Sequence, residues 1–426
     1  MSGFITGTFR SLRFYNYRVW FAGAVVSNTG TWMQRVAQDW LVLTELTHHN
    51  ATAVGIVMAL QFGPQLLLLP WAGYAADHLN RRRLMMATQV GMGVLALILG
   101  ILTVTGHITL WEVYTIAFLF GCVSAIDAPA RQVFVSEMVD EDHIANAVGL
   151  NSTSFNAGRM IGPAAAGLTI AALGTGWAFI LNGLSFFVVL ISLLFLRVHE
   201  LHTHERTVKR RGGLLEGFRY VWQRPDLKAA MIMLFFIATF GFNFAIFISV
   251  MAVRVFHAGA GRYGLLSSAM AVGTMCGALL AAGREKPSFQ QICLGAAVFG
   301  IGSSLAAIMP SYWLFAAALV ICGVAALTFA NSSNALMQLA TDPTMRGRVM
   351  AIRLAVAMGG TPIGAPIVGW VADTWGPRWS IAVAAAAGIV ATVVGVRYLV
   401  KHEDHRVYFA RGRVRFAPPN NEATAP

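Results

Sequence analysis

Apolar residues run through this chain in long blocks divided by short polar gaps, and nearly every charge falls in a gap. A helix needs about 20 apolar residues to cross a hydrocarbon core, so blocks of this length predict membrane-spanning helices. Twelve are predicted, near 19–44, 53–76, 84–106, 111–130, 145–171 and 177–196, then 229–253, 263–283, 291–309, 312–332, 349–371 and 379–400. The first, fifth and eleventh are marked more by context than by unbroken hydrophobicity. The expected organisation is a six-helix N-terminal half over 1–196, a linker over 197–228, a six-helix C-terminal half over 229–400 and a tail over 401–426.

An internal repeat agrees with that division. A shift of 202 positions places Asp140 on Asp342, Gly162 on Gly364, Gly167 on Gly369, Gly174 on Gly376 and Trp177 on Trp379. Two parallel halves related by an axis along the membrane normal are the expected arrangement of an alternating-access carrier.

Composition removes the soluble alternative: 57% of residues are hydrophobic and 12% charged, against about 25% charged in soluble domains. The net charge of +12 would suggest nucleic acid in a soluble protein, but here the cations sit beside spans, where anionic lipid headgroups meet them. No nucleic-acid partner is expected. Arg10, Arg13, Arg18, the Arg81–Arg83 triplet, Arg131, the linker, Arg284, Lys286, Arg346, Arg348 and the tail share one side, against Arg254, Arg262 and Arg378 on the other. Lys/Arg bias therefore places both termini in the cytoplasm.

Residues 1–8 lack the pattern of a cleaved signal peptide, so the first span is expected to stay in the mature protein. Cys122, Cys276, Cys293 and Cys322 fall inside predicted spans without CxxC spacing, which argues for small buried side chains and against a metal site. No phosphate-loop sequence and no soluble domain able to house an ATPase occur. A secondary carrier without a cofactor follows, with titratable carboxylates favouring protons as the coupling ion. No nucleophile-base pair is expected inside the spans, so an enzyme is not the reading.

Several segments carry a family resemblance. Gly73-Tyr-Ala-Ala-Asp77-His-Leu-Asn-Arg81-Arg82-Arg83 resembles the loop signature of the major facilitator superfamily, and Arg159-Met-Ile-Gly162-Pro163-Ala-Ala-Ala-Gly167 is similar to the Gly-Pro motif of its drug-exporting branches. Asp127-Ala-Pro-Ala-Arg131-Gln132 and Phe179-Ile-Leu-Asn182-Gly-Leu-Ser185-Phe186 resemble the bacterial subgroup that includes the enterobactin exporter and macrolide-type efflux proteins. Across about residues 10–400 the resemblance implies an all-α integral membrane protein of the bacterial inner membrane. Its twelve helices would form two six-helix halves around a central cavity. It implies a monomer that exports small amphipathic compounds by proton antiport. A dedicated siderophore exporter and a nutrient importer or facilitator are the alternatives.

Candidate chemistry lies mostly in the first half. Arg35 and Asp39 stand four apart on the first span, so they share a face and can pair. Either they fix that helix as an ion pair, or Asp39 is a proton-carrying carboxylate. Asp127 and Arg131 make a second such pair near the cytoplasmic end of the fourth span, with Asp127 as the second proton candidate and Glu137 behind it. Gly73 is expected to let a neighbouring helix approach, and Asp77 to accept hydrogen bonds or face a helix amino terminus. The arginines that follow are expected to hold the loop at the headgroups. The resemblance makes Gly73, Asp77, Arg81 and Arg82 a cytoplasmic latch, with a positive-inside anchor as the alternative, and places Gly162, Pro163 and Gly167 where bending would regulate closure, with close packing as the alternative. Arg131 and Arg159 are read from the sequence as a charge cluster tying the fourth and fifth spans to that loop. Trp32, Gln34, Gln38, Gln61, Asn156, Asn182 and Asn243 are the candidate cavity residues, with interhelical hydrogen bonding as the alternative for each amide.

Overall fold

Helices form where the apolar blocks stand, and local chemistry sets their ends. The computed structural model describes residues 9–202, 214–282, 288–402, 406–410 and 413–417; for Asp77, Leu214, Ala281, Ala282 and the last two segments it describes only the backbone. In the first half, α1 covers Tyr15–Trp40, α2 Ala51–Leu67, α3 Leu69–His78, α4 Arg81–Val104, α5 Leu110–Glu137, α6 Ile144–Leu173 and α7 Thr175–Leu194. In the second, α8 covers Leu214–Gln223, α9 Pro225–Phe236, α10 Phe244–Val250, α11 Ala260–Ala282, α12 Phe289–Ile308, α13 Tyr312–Ala340, α14 Arg346–Thr374 and α15 Pro377–His402. The tail adds an antiparallel hairpin, β1 Arg406–Ala410 with β2 Arg413–Ala417, to an otherwise helical chain.

First-turn N–H groups have no partner inside a helix and need one outside it. Asn50 and Asn80 supply it for α2 and α4 by accepting from the N–H of Ala53 and Arg83, and capping boxes at Thr109/Glu112 and Ser288/Gln291 open α5 and α12. Pro64 removes a backbone donor inside α2 and Pro70 starts α3, and between them, at Leu68, the chain bends by 56°.

Among the described residues, nine helical segments are long and apolar enough to cross a membrane, or ten if the bent pair α2 and α3 counts as one. The eleventh predicted span, α14, is one of them, while α1 and α6 are long enough but too polar. Their polarity has a place to go. α1 buries Asn16, Ser27, Asn28, Gln34, Gln38 and Asp39 and packs chiefly on α6 and α7. Lipid cannot satisfy such groups, so helices that carry them must be sheathed by other helices.

Between apolar helices in lipid there is little hydrophobic drive, and close packing through small residues replaces it. A Cβ on Gly158 would lie 2.8 Å from the carbonyl carbon of Asn28, and one on Gly162 2.6 Å from Trp32 Cβ, so α6 meets α1 backbone to backbone. Deeper in the first half Tyr17, Trp20, Met85, Phe134 and Leu193 form one buried apolar cluster.

The chain divides into two compact units: Met1–Lys209 with Phe244–Ala271 and Pro362–Pro377, and Arg210–Asn243 with Val272–Thr361 and Arg378–Pro426. The first unit thus contains α10 and parts of α11 and α14 from the second half of the sequence.

The repeat has structural counterparts. Gly174, between α6 and α7, has φ 95°, and Gly376, between α14 and α15, has φ 103°, a region that only glycine enters readily. Asn146 accepts from Ser11 at 3.0 Å (N) and 2.6 Å (Oγ), and Arg348, 202 positions on, pairs with Glu216 at 2.9 Å. A short segment ahead of each half therefore docks at the same place, and the two helical halves are pseudo-symmetric.

Candidate functional site

The polar face of α1 is divided between packing bonds and groups left open. Asn182, fully buried on α7, donates to Gln34 Oε1 at 2.6 Å, which is the interhelical bond weighed as an alternative for both amides. Gln38 Nε2, Trp32 Nε1 and Arg35 Nε are buried without a hydrogen-bond partner among the described residues. Buried polar atoms normally find partners, so this cluster makes the α1 face a candidate functional site.

The Arg35–Asp39 ion pair expected from their spacing is not made. The Arg35 guanidinium lies over the rings of Trp32 and Phe62, 4.6 and 5.1 Å from their centroids. Desolvated cation–π contacts of this kind compete with an ion pair. Asp39 Oδ2 instead accepts from the Tyr263 hydroxyl of α11 at 3.3 Å, and the Tyr263 ring stacks on Trp40 with centroids 5.9 Å apart. Tyr263 belongs to the first unit with Asp39 and is 1% exposed. Nothing in its sequence context points to this role, because the two residues are 224 positions apart.

The Asp127–Arg131 pair does form, at 2.8 Å. Asp127 has no exposed surface, and its Oδ1 accepts from Thr88 Oγ1 at 2.7 Å and Gln89 Nε2 at 3.0 Å on α4. Arg131 reaches Asn28 Oδ1 at 3.4 Å, and Asn28 Nδ2 donates to Ser154 at 3.0 Å. This network joins α4, α5, α1 and α6. Thr88 and Gln89, a polar pair inside an apolar span, are the trace this network leaves in the sequence.

At the loop between α3 and α4, Arg81 and Arg82 are partly buried and make contacts within the protein, while Arg83 is exposed. Arg81 forms an ion pair with the buried Glu137 and donates to the Ala76 carbonyl at 3.0 Å; Arg82 caps α7 by donating to the Leu193 carbonyl at 2.8 Å. Among the described residues no helix approaches Gly73 as expected, since a Cβ there would meet nothing within 4 Å. Ala72 and Ala76, four apart and 0% and 2% exposed, form the packed face of α3 instead. The Asp77 side chain lies outside the described residues, as do residues 283–287 of the matching loop in the second half.

Of the other candidates, Gln61 is buried with its carbonyl against Gly121, and Asn156 is exposed and bonded within its own helix to the Ser152 carbonyl. Arg159 is half-buried on α6. Pro163 and Gly167 face α11: the Pro163 carbonyl would lie 2.4 Å from a Cβ on Gly264, and a Cβ on Gly167 2.8 Å from the Ala260 carbonyl. Asn243 lies in the second unit, fully buried, donating to the Thr239 carbonyl at 2.7 Å while its Oδ1 has no partner among the described residues. Among the described residues no group of three or more His, Cys, Asp or Glu could hold a metal ion, and all four cysteines are free.

Residues 6–422 match the family described as transmembrane secretion effector. The staphyloferrin A transporter of Staphylococcus aureus is 24% identical over 88% of this chain and 94% of its own length. The multidrug efflux pump Tap of Mycolicibacterium fortuitum is 28% identical over 83% and 88%, and the enterobactin exporter of Escherichia coli 23% identical over 90% and 90%. A solved bacterial homologue of the human lysosomal transporter Spinster, inward-facing and occupied, aligns with TM-score 0.71 and 14% identity over 91% of this chain and 98% of that one. A POT family transporter in complex with 5-aminolevulinic acid aligns with TM-score 0.73 and 13% identity over 91% and 96%. These likenesses give the fold, and no single named subgroup stands close. A multi-pass helical chain with two pseudo-symmetric halves, this protein belongs to the transmembrane secretion effector family of major facilitator transporters and acts by transport, not catalysis.

Proposed function

We propose that the protein is a proton-coupled antiporter that exports small amphipathic compounds across the bacterial inner membrane by alternating access. It works as a monomer of twelve spans, with halves over 1–196 and 229–400 and both termini in the cytoplasm. The observation that carries the reading is Asp39: a buried carboxylate on the polar face of α1, bonded to Tyr263 on a helix from the other half of the sequence. An intramembrane carboxylate is costly and is kept where it is paired or used. A junction between halves is also where alternating access must make and break contacts. The buried amides Gln34 and Gln38 share α1 with Trp32, whose ring meets that of Phe155 with centroids 5.5 Å apart, and such a mixture suits a cargo with both polar and apolar parts.

Export is supported by the relatives named for efflux and export. A second reading, a dedicated siderophore exporter, is supported by two relatives named for staphyloferrin A and enterobactin. Purified protein in vesicles with an imposed pH gradient tests both. Gradient-dependent movement of a fluorescent amphipathic dye, abolished by a protonophore, is the expected result. Dye movement at the same rate without the gradient would overturn proton coupling. Movement of an iron chelator with none of the dye would favour the second reading.

A further inference from the structure

Asp373 stands one residue before the end of α14, at the edge of a predicted span. Its Oδ1 accepts from the Ala51 N–H at 2.9 Å and from Arg254 Nη1 at 3.2 Å, while Oδ2 accepts from the Thr52 N–H at 2.8 Å and the Thr52 hydroxyl at 2.7 Å. A carboxylate offers about four acceptor sites, and all of them are used. Ala51 and Thr52 open α2, whose own cap, Asn50, reaches only Ala53. The carboxylate of a residue more than 300 positions away thus satisfies the first turn of α2 and places negative charge at its positive end.

Below this clasp runs a seam of small residues. A Cβ on Gly369 would lie 2.5 Å from the Ala51 carbonyl oxygen, and one on Gly55 2.4 Å from that of Ala365. Ala365, Gly369 and Asp373 are spaced four apart on one helix face, so the carboxylate closes the end of the seam. The repeat-related seam has the same packing, with Gly167 on α6 against Ala260 and Gly261 of α11. There the position matching Asp373 is Ala171, which offers no side-chain acceptor. The clasp is therefore not needed to pack such a seam.

We propose that Asp373, with Arg254, is a latch of the transport cycle, holding α14 to the start of α2 at the membrane face predicted to be extracellular. It must be released each time that face opens. The proposal rests on alternating access but not on the cargo, the direction or the proton. Two of its four donors are backbone N–H groups, which a substitution cannot delete, so the acceptor side is where all four bonds can be broken at once.

The test is a distance measurement between spin labels on cysteines introduced at the exposed His48 and Trp375, in full-length protein whose four native cysteines are replaced. Asp373→Asn should raise the long-distance population about tenfold, the ratio expected for losing a charge-assisted bond. Arg254→Gln and Thr52→Ala, each removing one donor, should shift it in the same direction by less. An unchanged distribution in folded Asp373→Asn overturns the latch. If that variant does not fold, unchanged distributions in both single-donor variants overturn it equally. Absence of gradient-driven dye movement would sink the antiport reading while leaving this distance result standing.

Discussion

Thr88 Oγ1 donates to Asp127 Oδ1 at 2.7 Å, fastening α4 to a fully buried charge on α5. With Gln89 and Arg131 also on that carboxylate, removing it would strand a partly buried guanidinium, and breaking such a pair costs about 3 kcal/mol. Asp127→Ala should therefore lower thermal stability in detergent by about that amount. Thr88→Val, which loses one bond, should cost about 1 kcal/mol. Equal melting temperatures for Asp127→Ala and the parent would show that the network is not holding these helices.

Asp39→Asn should abolish gradient-driven transport in vesicles, leave dye binding measurable and make the residual rate independent of pH. Asp39 has one side-chain hydrogen bond, to Tyr263, so the amide keeps an acceptor for the hydroxyl and the fold should survive. Normal rates with normal pH dependence would move the coupling role to Asp127 or Glu137.

Glycine positions separate packing from gating. Gly162→Ala would place a Cβ 2.6 Å from Trp32 Cβ and 2.9 Å from the Thr29 carbonyl oxygen, forcing α6 off α1, with an expected cost of about 1 to 3 kcal/mol. Gly73→Ala meets nothing and should stabilise α3 by up to about 1 kcal/mol through helix propensity. If Gly73→Ala is stable yet transports slowly, the glycine serves another conformation of the cycle.

In the arginine triplet, Arg81→Ala leaves Glu137, 10% exposed, without its ion-pair partner, whereas Arg82→Ala loses bonds to the Leu193 and Leu194 carbonyls. The first should cost about 2 to 4 kcal/mol and the second about 1 kcal/mol, measured by thermal unfolding of purified protein. Arg83, whose side chain is exposed, should be replaceable with little change.

Apolar blocks and caps made most of the helices legible: the span predicted over 111–130 is the core of Leu110–Glu137, extended because Pro129 is accommodated inside it. The repeat was equally legible at Gly174 and Gly376, where a turn needs φ of 95° and 103°. Pairings were not. Spacing put Arg35 and Asp39 on one face, but it could not show that Phe62 and Tyr263 would compete for them from other helices. The contact of Asp373 with Ala51 and Thr52 was hidden because it is made largely to backbone N–H groups, which leave no trace in residue type. Gly73 misled in the opposite sense, since a glycine in a helix reads as close packing whether or not a neighbour is there.

The polarity of α1 bears on how the protein is made. Arg35 and Asp39 lie in the C-terminal part of α1, and each adds up to about 2.5 to 3.5 kcal/mol, the cost at a helix centre, to the free energy of entering a bilayer alone. The helix lacks the apolar surplus to offset them. Two of its polar groups, Asn28 and Gln34, are bonded to Ser154 and Asn182, on α6 and α7, which are synthesised more than 100 residues later. A chain cut after α5 should therefore leave α1 poorly inserted, and one extended through α7 should restore its insertion.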